Sequence, residues 1–286
     1  METLSTKAEL SAWLAQGSAG PRVLVPTMGA LHRGHASLLD IAAAEAGRIG
    51  GEVVATLFVN PIQFGPNEDY DAYPRPLADD LETCRACGVA AVFAPPADEI
   101  YAPDRSVSVT ESSLSRRLCG ASRPGHFDGV CTVVAKLFHL LSPAAAVFGE
   151  KDYQQLAVIR RLVRDLDFPV RILAGPTVRE QDGLALSSRN AYLRPEERAQ
   201  APILNEALRA AARAYRRAGG CGDAGAAAAQ FGKVFARATL ARLDYFETVH
   251  ADTLEPLGSG SEGHARFLAA AFFGATRLID NVGEEG

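Results

Sequence analysis

Through roughly the first 175 residues, short apolar or β-branched runs alternate with stretches whose apolar positions recur every three or four residues. The runs Val23 to Val25, Val53 to Val59, Ala90 to Phe93, Ala145 to Phe148 and Val170 to Leu173 predict strands. Between them Ala36 to Arg48, Leu77 to Cys87, Val130 to Leu141 and Tyr153 to Leu166 predict amphipathic helices. Strand and helix in alternation predict an α/β domain, a parallel sheet covered on both faces. Ligands of such sheets bind at the carboxyl ends of the strands, where the strand order reverses.

After Pro176 the pattern changes. Arg194-Pro195-Glu196-Glu197 reads as a helix start, with proline at an early position and acids in the first turn. Two alanine-rich helices are expected, Glu196 to Arg217 and Ala224 to Leu240, interrupted by Gly219-Gly220-Cys221-Gly222. Leu243 to His250, Phe267 to Phe273 and Thr276 to Ile279 then predict a small antiparallel sheet, with a glycine- and serine-rich stretch, Gly258 to Gly263, before the second strand. The expectation is therefore a parallel-sheet domain over residues 1–176 and a smaller α+β domain over 177–286.

The 286 residues suffice for a full core and two domains, and a net charge of −5 argues against a general nucleic-acid or membrane surface. Any anion site must be local. The amino-terminal stretch mixes Glu2, Lys7 and Glu9 with apolar residues and offers no signal-peptide core, and no run approaches a membrane span, so a cytoplasmic protein is expected. Five cysteines, an odd number, form no disulfide framework, and Cys84-Arg85-Ala86-Cys87 lacks the second pair that zinc would need.

The densest chemistry is Pro26-Thr27-Met28-Gly29-Ala30-Leu31-His32-Arg33-Gly34-His35. A strand turns through Thr27 and Gly29 into a helix opening near Gly34, which sets two imidazoles at a helix N-terminus. Unpaired backbone N–H groups and the positive end of the helix dipole favour an anion there, and each imidazole adds a ring donor. Zinc would need further ligands, and no H-E-x-x-H pattern supplies them. Two polar residues at a helix start remain the plainer reading.

Other segments carry weaker signals. In Phe58-Val59-Asn60-Pro61-Ile62-Gln63-Phe64 the amides of Asn60 and Gln63 suit a small hydroxy acid, or simply a capped turn. Arg123 and His126, in Arg123-Pro124-Gly125-His126-Phe127-Asp128-Gly129-Val130, could meet a carboxylate or phosphate, or sit on a surface turn. Lysine is scarce, and Phe148-Gly149-Glu150-Lys151-Asp152 keeps one at the end of a strand, where a compact charge suits a polyphosphate; the alternative is a helix capped by Asp152 beside a solvated lysine. The donor-rich stretch from Arg179 to Asn190 reads as a loop that closes over phosphates, or as an ordinary polar surface loop.

Taken in order, P-T-M-G-A-L-H-R-G-H at 26–35, F-V-N-P-I-Q-F-G at 58–65, R-P-G-H-F-D-G-V at 123–130, F-G-E-K-D-Y-Q-Q at 148–155, D-G-L-A-L-S-S-R-N at 182–190 and R-L-I-D-N at 277–281 resemble the pantothenate synthetase family. The resemblance implies a HIGH-motif nucleotidyltransferase with a Rossmann-like first domain, assembled as a homodimer. The reaction it implies condenses pantoate with β-alanine, using ATP through a pantoyl adenylate, with magnesium accompanying ATP. ATP contacts would be Met28, Gly29, Ala30, Leu31, His32, Arg33, Gly34 and His35, then Gly149, Glu150, Lys151 and Asp152, then Val178, Leu186, Ser187, Ser188 and Arg189. His35 would be the proton donor, with His32, Lys151 and Arg189 stabilising phosphate charge. Gln63 and Gln155 would bind pantoate, with Asn60, Arg123 and His126 near the substrates, and Asp79 and Asp80 are the candidate magnesium carboxylates unless, like most adjacent acids on a helix, they face water. Two rivals remain: a nucleotidylyltransferase whose product keeps the nucleotide, and a nucleotide-sensing module without catalysis.

Overall fold

The computed structural model describes residues 1–17, 20–66, 68–216, 222–258 and 263–285. Its first part contains β1 (Glu2–Leu4), α1 (Lys7–Ala15), β2 (Arg22–Thr27), α2 (Arg33–Ile49), β3 (Glu52–Leu57), α3 (Leu77–Ala86), β4 (Ala91–Phe93), α4 (Ala97–Ile100), α5 (Cys119–Ser122), α6 (His126–Leu141), β5 (Ala145–Gly149), α7 (Tyr153–Asp165) and β6 (Arg171–Gly175). All six strands run parallel in the order β1-β4-β3-β2-β5-β6. The chain steps from β2 outward to β3 and β4, then returns to lay β5 on the other side of β2. The order therefore reverses between β2 and β5, the crevice where such sheets bind ligands.

The central strands are continuous apolar runs because both faces are covered: Val23, Leu24, Val25, Val54, Val92 and Phe93 are fully buried. Leu38, Leu39, Ala42 and Ala46 of α2 pack on one face with Val23, Val25, Val53 and Ala55. The Rossmann-like α/β architecture is thus present, with two additions. β1 pairs with β4 at one edge, and α1 is closed by a capping box in which Thr6 and Glu9 satisfy each other's backbone N–H. A strand of three residues is too short to leave a period in the sequence.

The second part contains α8 (Pro195–Gln200), α9 (Ile203–Arg216), α10 (Ala224–Phe235), β7 (Ala241–His250), β8 (Ala265–Phe273) and β9 (Thr276–Gly283). The last three form an antiparallel sheet, β7-β8-β9, as the pattern predicts. Ala207, Ala211 and Ala212 of α9 pack into one core with Phe267, Ala269 and Phe273 of β8, and their small side chains let helix and sheet approach closely. The single helix expected from Glu196 to Arg217 is broken at Ala201-Pro202, because Pro202 lacks the N–H and disfavours helix in the residue before it. α10 stops at Phe235, five residues before the expected Leu240, and β7 starts at Ala241. Gly219 to Cys221 and most of Gly258 to Gly263 lie outside the described residues.

Two compact units result, one of Met1–Ser115, Arg123–Glu150 and Val158–Pro176, the other of Arg116–Ser122, Lys151–Ala157 and Thr177–Gly286. Pro176 ends the last segment of the first unit, while residues 116–122 and 151–157 belong with the second although they precede it in sequence. Among the described residues no helix is long and apolar enough to cross a membrane.

Candidate active site

In the first unit three of the motifs leave the carboxyl ends of neighbouring strands: Met28 to His35 after β2, Phe58 to Gln63 after β3, and Glu150 after β5. The turn after β2 is held from below. Thr27 Oγ1 donates to the Thr56 carbonyl at 2.9 Å and accepts from Gly29 N–H at 3.1 Å. Gly29 has φ +81°, and a Cβ there would stand 2.8 Å from an Asp80 carboxylate oxygen, so the turn needs glycine. Ala30 N–H donates to Asp80 Oδ2 at 2.9 Å and Leu31 N–H to Oδ1 at 2.7 Å.

α2 starts three residues earlier than its apolar pattern, at Arg33, because His32 caps it. His32 Nδ1 accepts Gly34 N–H at 3.1 Å, and His35 Nδ1 accepts His32 N–H at 3.3 Å. The ring centroids are 4.1 Å apart. An imidazole nitrogen that accepts a backbone N–H carries no proton, so in both rings the proton sits on Nε2. Each ring accepts a backbone N–H with one nitrogen and carries a proton on the other, a donor of the kind an anion at a helix N-terminus accepts.

Beside this turn Asn60 is 1% exposed and Gln63 8%. Asn60 Nδ2 donates to the Gln63 side-chain oxygen at 2.9 Å and to the Gly129 carbonyl at 3.1 Å, while its oxygen accepts the Tyr101 hydroxyl at 2.8 Å. Gln63 Nε2 donates to Met28 Sδ at 3.1 Å. α6 lies tight against this loop, since a Cβ on Gly129 would come within 2.5 Å of the Ile62 carbonyl. His126 Nδ1–H donates to the Gln63 carbonyl at 2.7 Å, and Arg123 Nη1 donates to His126 Nε2 at 3.1 Å. Arg123 in turn grips Glu68 with two hydrogen bonds, 2.7 and 2.5 Å.

In the second unit Lys151 is half-buried, with Nζ 3.8 Å from Asp152 Oδ2, and its carbonyl accepts from the Asn281 side chain at 2.9 Å. Gln155 is partly exposed one turn into α7. Its neighbour Gln154 is buried and braces α5, accepting Cys119 N–H at 2.9 Å and donating to the Arg117 carbonyl at 2.7 Å. The stretch from Val178 to Leu186 is a hairpin rather than an open loop: Leu186 N–H donates to the Val178 carbonyl at 3.0 Å, and Glu180 N–H to Leu184 at 2.8 Å. Ser187 Oγ caps the following turn by accepting Arg189 N–H at 3.3 Å, and Leu186 is buried while Ser188 and Arg189 are half-buried. Arg179 fixes the hairpin through two bonds to Asp280, 2.7 and 2.9 Å.

The structure gives three of the expected sites partners within the fold. Asp79 and Asp80 do not act as a pair: Asp79 is exposed, whereas Asp80 is buried with both oxygens taken by the turn after β2. Burial pushes the Asp80 carboxyl above its usual range, against the lowering effect of the Leu31 and Ala30 N–H groups. Among the described residues no three His, Cys, Asp or Glu side chains form a metal cluster. Second, Arg123 is paired with Glu68, whose carboxyl burial would raise but Arg123 holds below the ordinary value, so it braces the loop that carries Gln63. Third, His126 uses Nδ1–H on the Gln63 backbone and is a strut of the same kind. The residues that reading by motif missed are the struts Tyr101, Glu68, Gln154, Arg179 and Asp280; a polar residue inside an apolar run, as Asp280 is in Leu278-Ile279-Asp280, was the available signal.

The described cysteines Cys84, Cys87, Cys119 and Cys131 are free. Burial pushes the Cys84 thiol up to about 11, which disfavours the thiolate that metal binding or redox chemistry uses.

Comparison with known proteins agrees with this geometry. The family model for pantoate-beta-alanine ligase matches residues 2–283. Pantothenate synthetase of Akkermansia muciniphila is 50% identical, with 99% of each chain covered, and that of Salinispora arenicola is 52% identical, covering 98% of this chain and 96% of the relative. Among solved structures, pantothenate synthetase of Thermus thermophilus superposes with a TM-score of 0.91 at 47% identity, over 99% of each chain. Pantoate-beta-alanine ligase of Francisella tularensis, complexed with beta-gamma ATP and beta-alanine, gives a TM-score of 0.79 at 30% identity over 100% of this chain and 98% of that one. With a family model spanning nearly the whole sequence and relatives at half identity, the chain belongs to the pantoate-beta-alanine ligase family.

Proposed function

We propose that the protein condenses pantoate with β-alanine at the expense of ATP, giving pantothenate, AMP and pyrophosphate. The observation that carries the reading is the histidine pair capping α2 at the reversal of strand order, each with its proton on Nε2. A pantoate carboxylate oxygen attacks the α-phosphorus of ATP, the bond to the β-phosphate oxygen breaks, and pyrophosphate leaves. Charge grows on the phosphoryl oxygens in that step, and donors already held by the fold need no reorganisation to meet it. His35 serves as the proton donor, with His32 beside it. The amine of β-alanine then attacks the pantoyl carbonyl carbon; the bond to the phosphate oxygen breaks, AMP departs and the amine proton passes to solvent.

Met28 to His35 and Gly149 to Asp152 serve ATP, as do Val178 and Leu186 to Arg189, with Lys151 and Arg189 countering phosphate charge. Gln63, Asn60 and Gln155 serve pantoate. Magnesium accompanies the triphosphate, held by phosphate oxygens and water as that ion usually is; the described residues form no carboxylate cage for it. The free thiols fit a reducing cytoplasm.

The working form in this reading is a homodimer. Residues 105–112 have no strand partner among the described residues, and Val107 within them is 81% exposed. A twofold antiparallel pairing about Ser108 sets Arg105 opposite Glu111 and Val107 opposite Val109, each twice. Ser108→Pro removes the central N–H, and sedimentation of this variant as a monomer at concentrations where the parent is dimeric is the expected result.

The decisive assay couples AMP release to pantoate and β-alanine. Omitting β-alanine should leave pyrophosphate exchange intact; a product that retains the adenylyl group would favour a nucleotidylyltransferase instead.

A further inference from the structure

The Gln63 side chain has a defined polarity, and it can be traced. Gly129 offers a carbonyl, which only accepts, so the Asn60 atom 3.1 Å from it is the amide nitrogen. The Asn60 oxygen then faces the Tyr101 hydroxyl at 2.8 Å, and the other hydrogen of the Asn60 amide meets the Gln63 oxygen at 2.9 Å. Gln63 is left with Nε2 turned to Met28 Sδ at 3.1 Å, and a thioether sulfur is a weak acceptor. An amide held this way gives up that contact readily for an oxygen.

We propose that Tyr101 is a positioning residue for the acid substrate: through Asn60 it locks Gln63 as a hydrogen-bond donor, so the site selects an oxygen acceptor on a short hydroxy acid. The role rests on the functional reading above. Tyr101 is suited to it because its ring is fixed independently of its hydroxyl. The ring packs against Phe58 with centroids 6.1 Å apart and carries the Arg105 guanidinium 5.4 Å and the Lys136 ammonium 5.8 Å from its centre. Burial raises the phenol well above its usual range, so the hydroxyl keeps its proton and remains a donor at any working pH. Without it the Asn60 oxygen is buried with no donor, and the Gly129 carbonyl alone is left to oppose rotation of the amide.

Tyr101→Phe keeps the ring and removes only the hydroxyl. The expected result is a rise of about tenfold in the KM for pantoate, with the KM for ATP unchanged. In a Gln63→Ala background the same substitution should add nothing, because Tyr101 acts through Gln63. A readout independent of turnover is exchange of the Asn60 side-chain amide hydrogens, slow in the parent and fast in Tyr101→Phe. Unchanged exchange, an unchanged KM for pantoate, or an effect that persists in Gln63→Ala would each overturn the proposal. A parent enzyme that releases no AMP with pantoate would overturn the functional reading itself, and the exchange measurement would still report on the relay.

Discussion

The backbone N–H of His32 meets Nδ1 of His35 at 3.3 Å, so the second histidine holds the first residue of the helix that both serve. Asparagine can imitate that contact, since its side-chain oxygen occupies nearly the position of Nδ1, but it has nothing in the place of Nε2–H. His35→Asn should therefore leave thermal stability close to that of the parent while pyrophosphate exchange falls by about 10²-fold. His35→Ala should lose the same activity and about 1 kcal/mol of stability as well.

Asp80→Asn tests whether this acid holds the turn or a metal. An amide in place of the carboxylate sets an NH₂ against Ala30 or Leu31 N–H and orphans one of them, at a cost of about 1–3 kcal/mol in urea unfolding. The KM for ATP should rise at every magnesium concentration. A displaced magnesium optimum with stability intact would instead put a metal at this carboxylate.

Glu68 sets a pH dependence. Its carboxyl is held below the ordinary range by Arg123 despite burial, so the unfolded chain binds the proton more tightly than the folded one. The stability this supplies is fully present above the usual glutamate pKa and is lost as pH falls through the lower, folded-state value. Urea midpoints should drop as pH falls below the ordinary glutamate range, and Glu68→Gln should flatten that drop while lowering the plateau at neutral pH.

Asp280 carries the pair that fixes the hairpin from Val178 to Leu186. It is 3% exposed on its side chain and faces Arg179 at 16%, with the Asn205 amide on the same oxygen at 3.1 Å. Asp280→Ala leaves a guanidinium with its carboxylate gone, which should cost about 3–5 kcal/mol in chemical denaturation. Arg179→Ala should cost less, because Asp280 keeps the Asn205 amide and the Asn281 N–H.

Five of the six parallel strands were legible because their buried stretches are mostly apolar and the turns beside them carry glycine or proline. The order of strands was not, since no period in a sequence records which strand lies beside which. The apolar pattern starts α6 four residues late, at Val130, because Asp128 and Gly129 interrupt it behind His126 and Phe127, whereas the opening of α2 near Gly34 lies within one residue of its start at Arg33. At the site, motif spacing identified residues whose chemistry suits a phosphate or an amide contact. It could not show which of them also brace the fold, as Arg123 does through Glu68 and His126 through the Gln63 carbonyl.

Gly129 is the position where helix α6 and the loop carrying Gln63 touch without any side chain between them. Its carbonyl orients Asn60, and its bare Cα leaves room for the Ile62 and Gln63 backbone on the same side. The contact between helix and loop is consequently made by main chain, which cannot swing aside as a side chain would. A methyl group added at Gly129 would push α6 and the Gln63 loop apart bodily, and the Asn60 contact with the Gly129 carbonyl would shift with them.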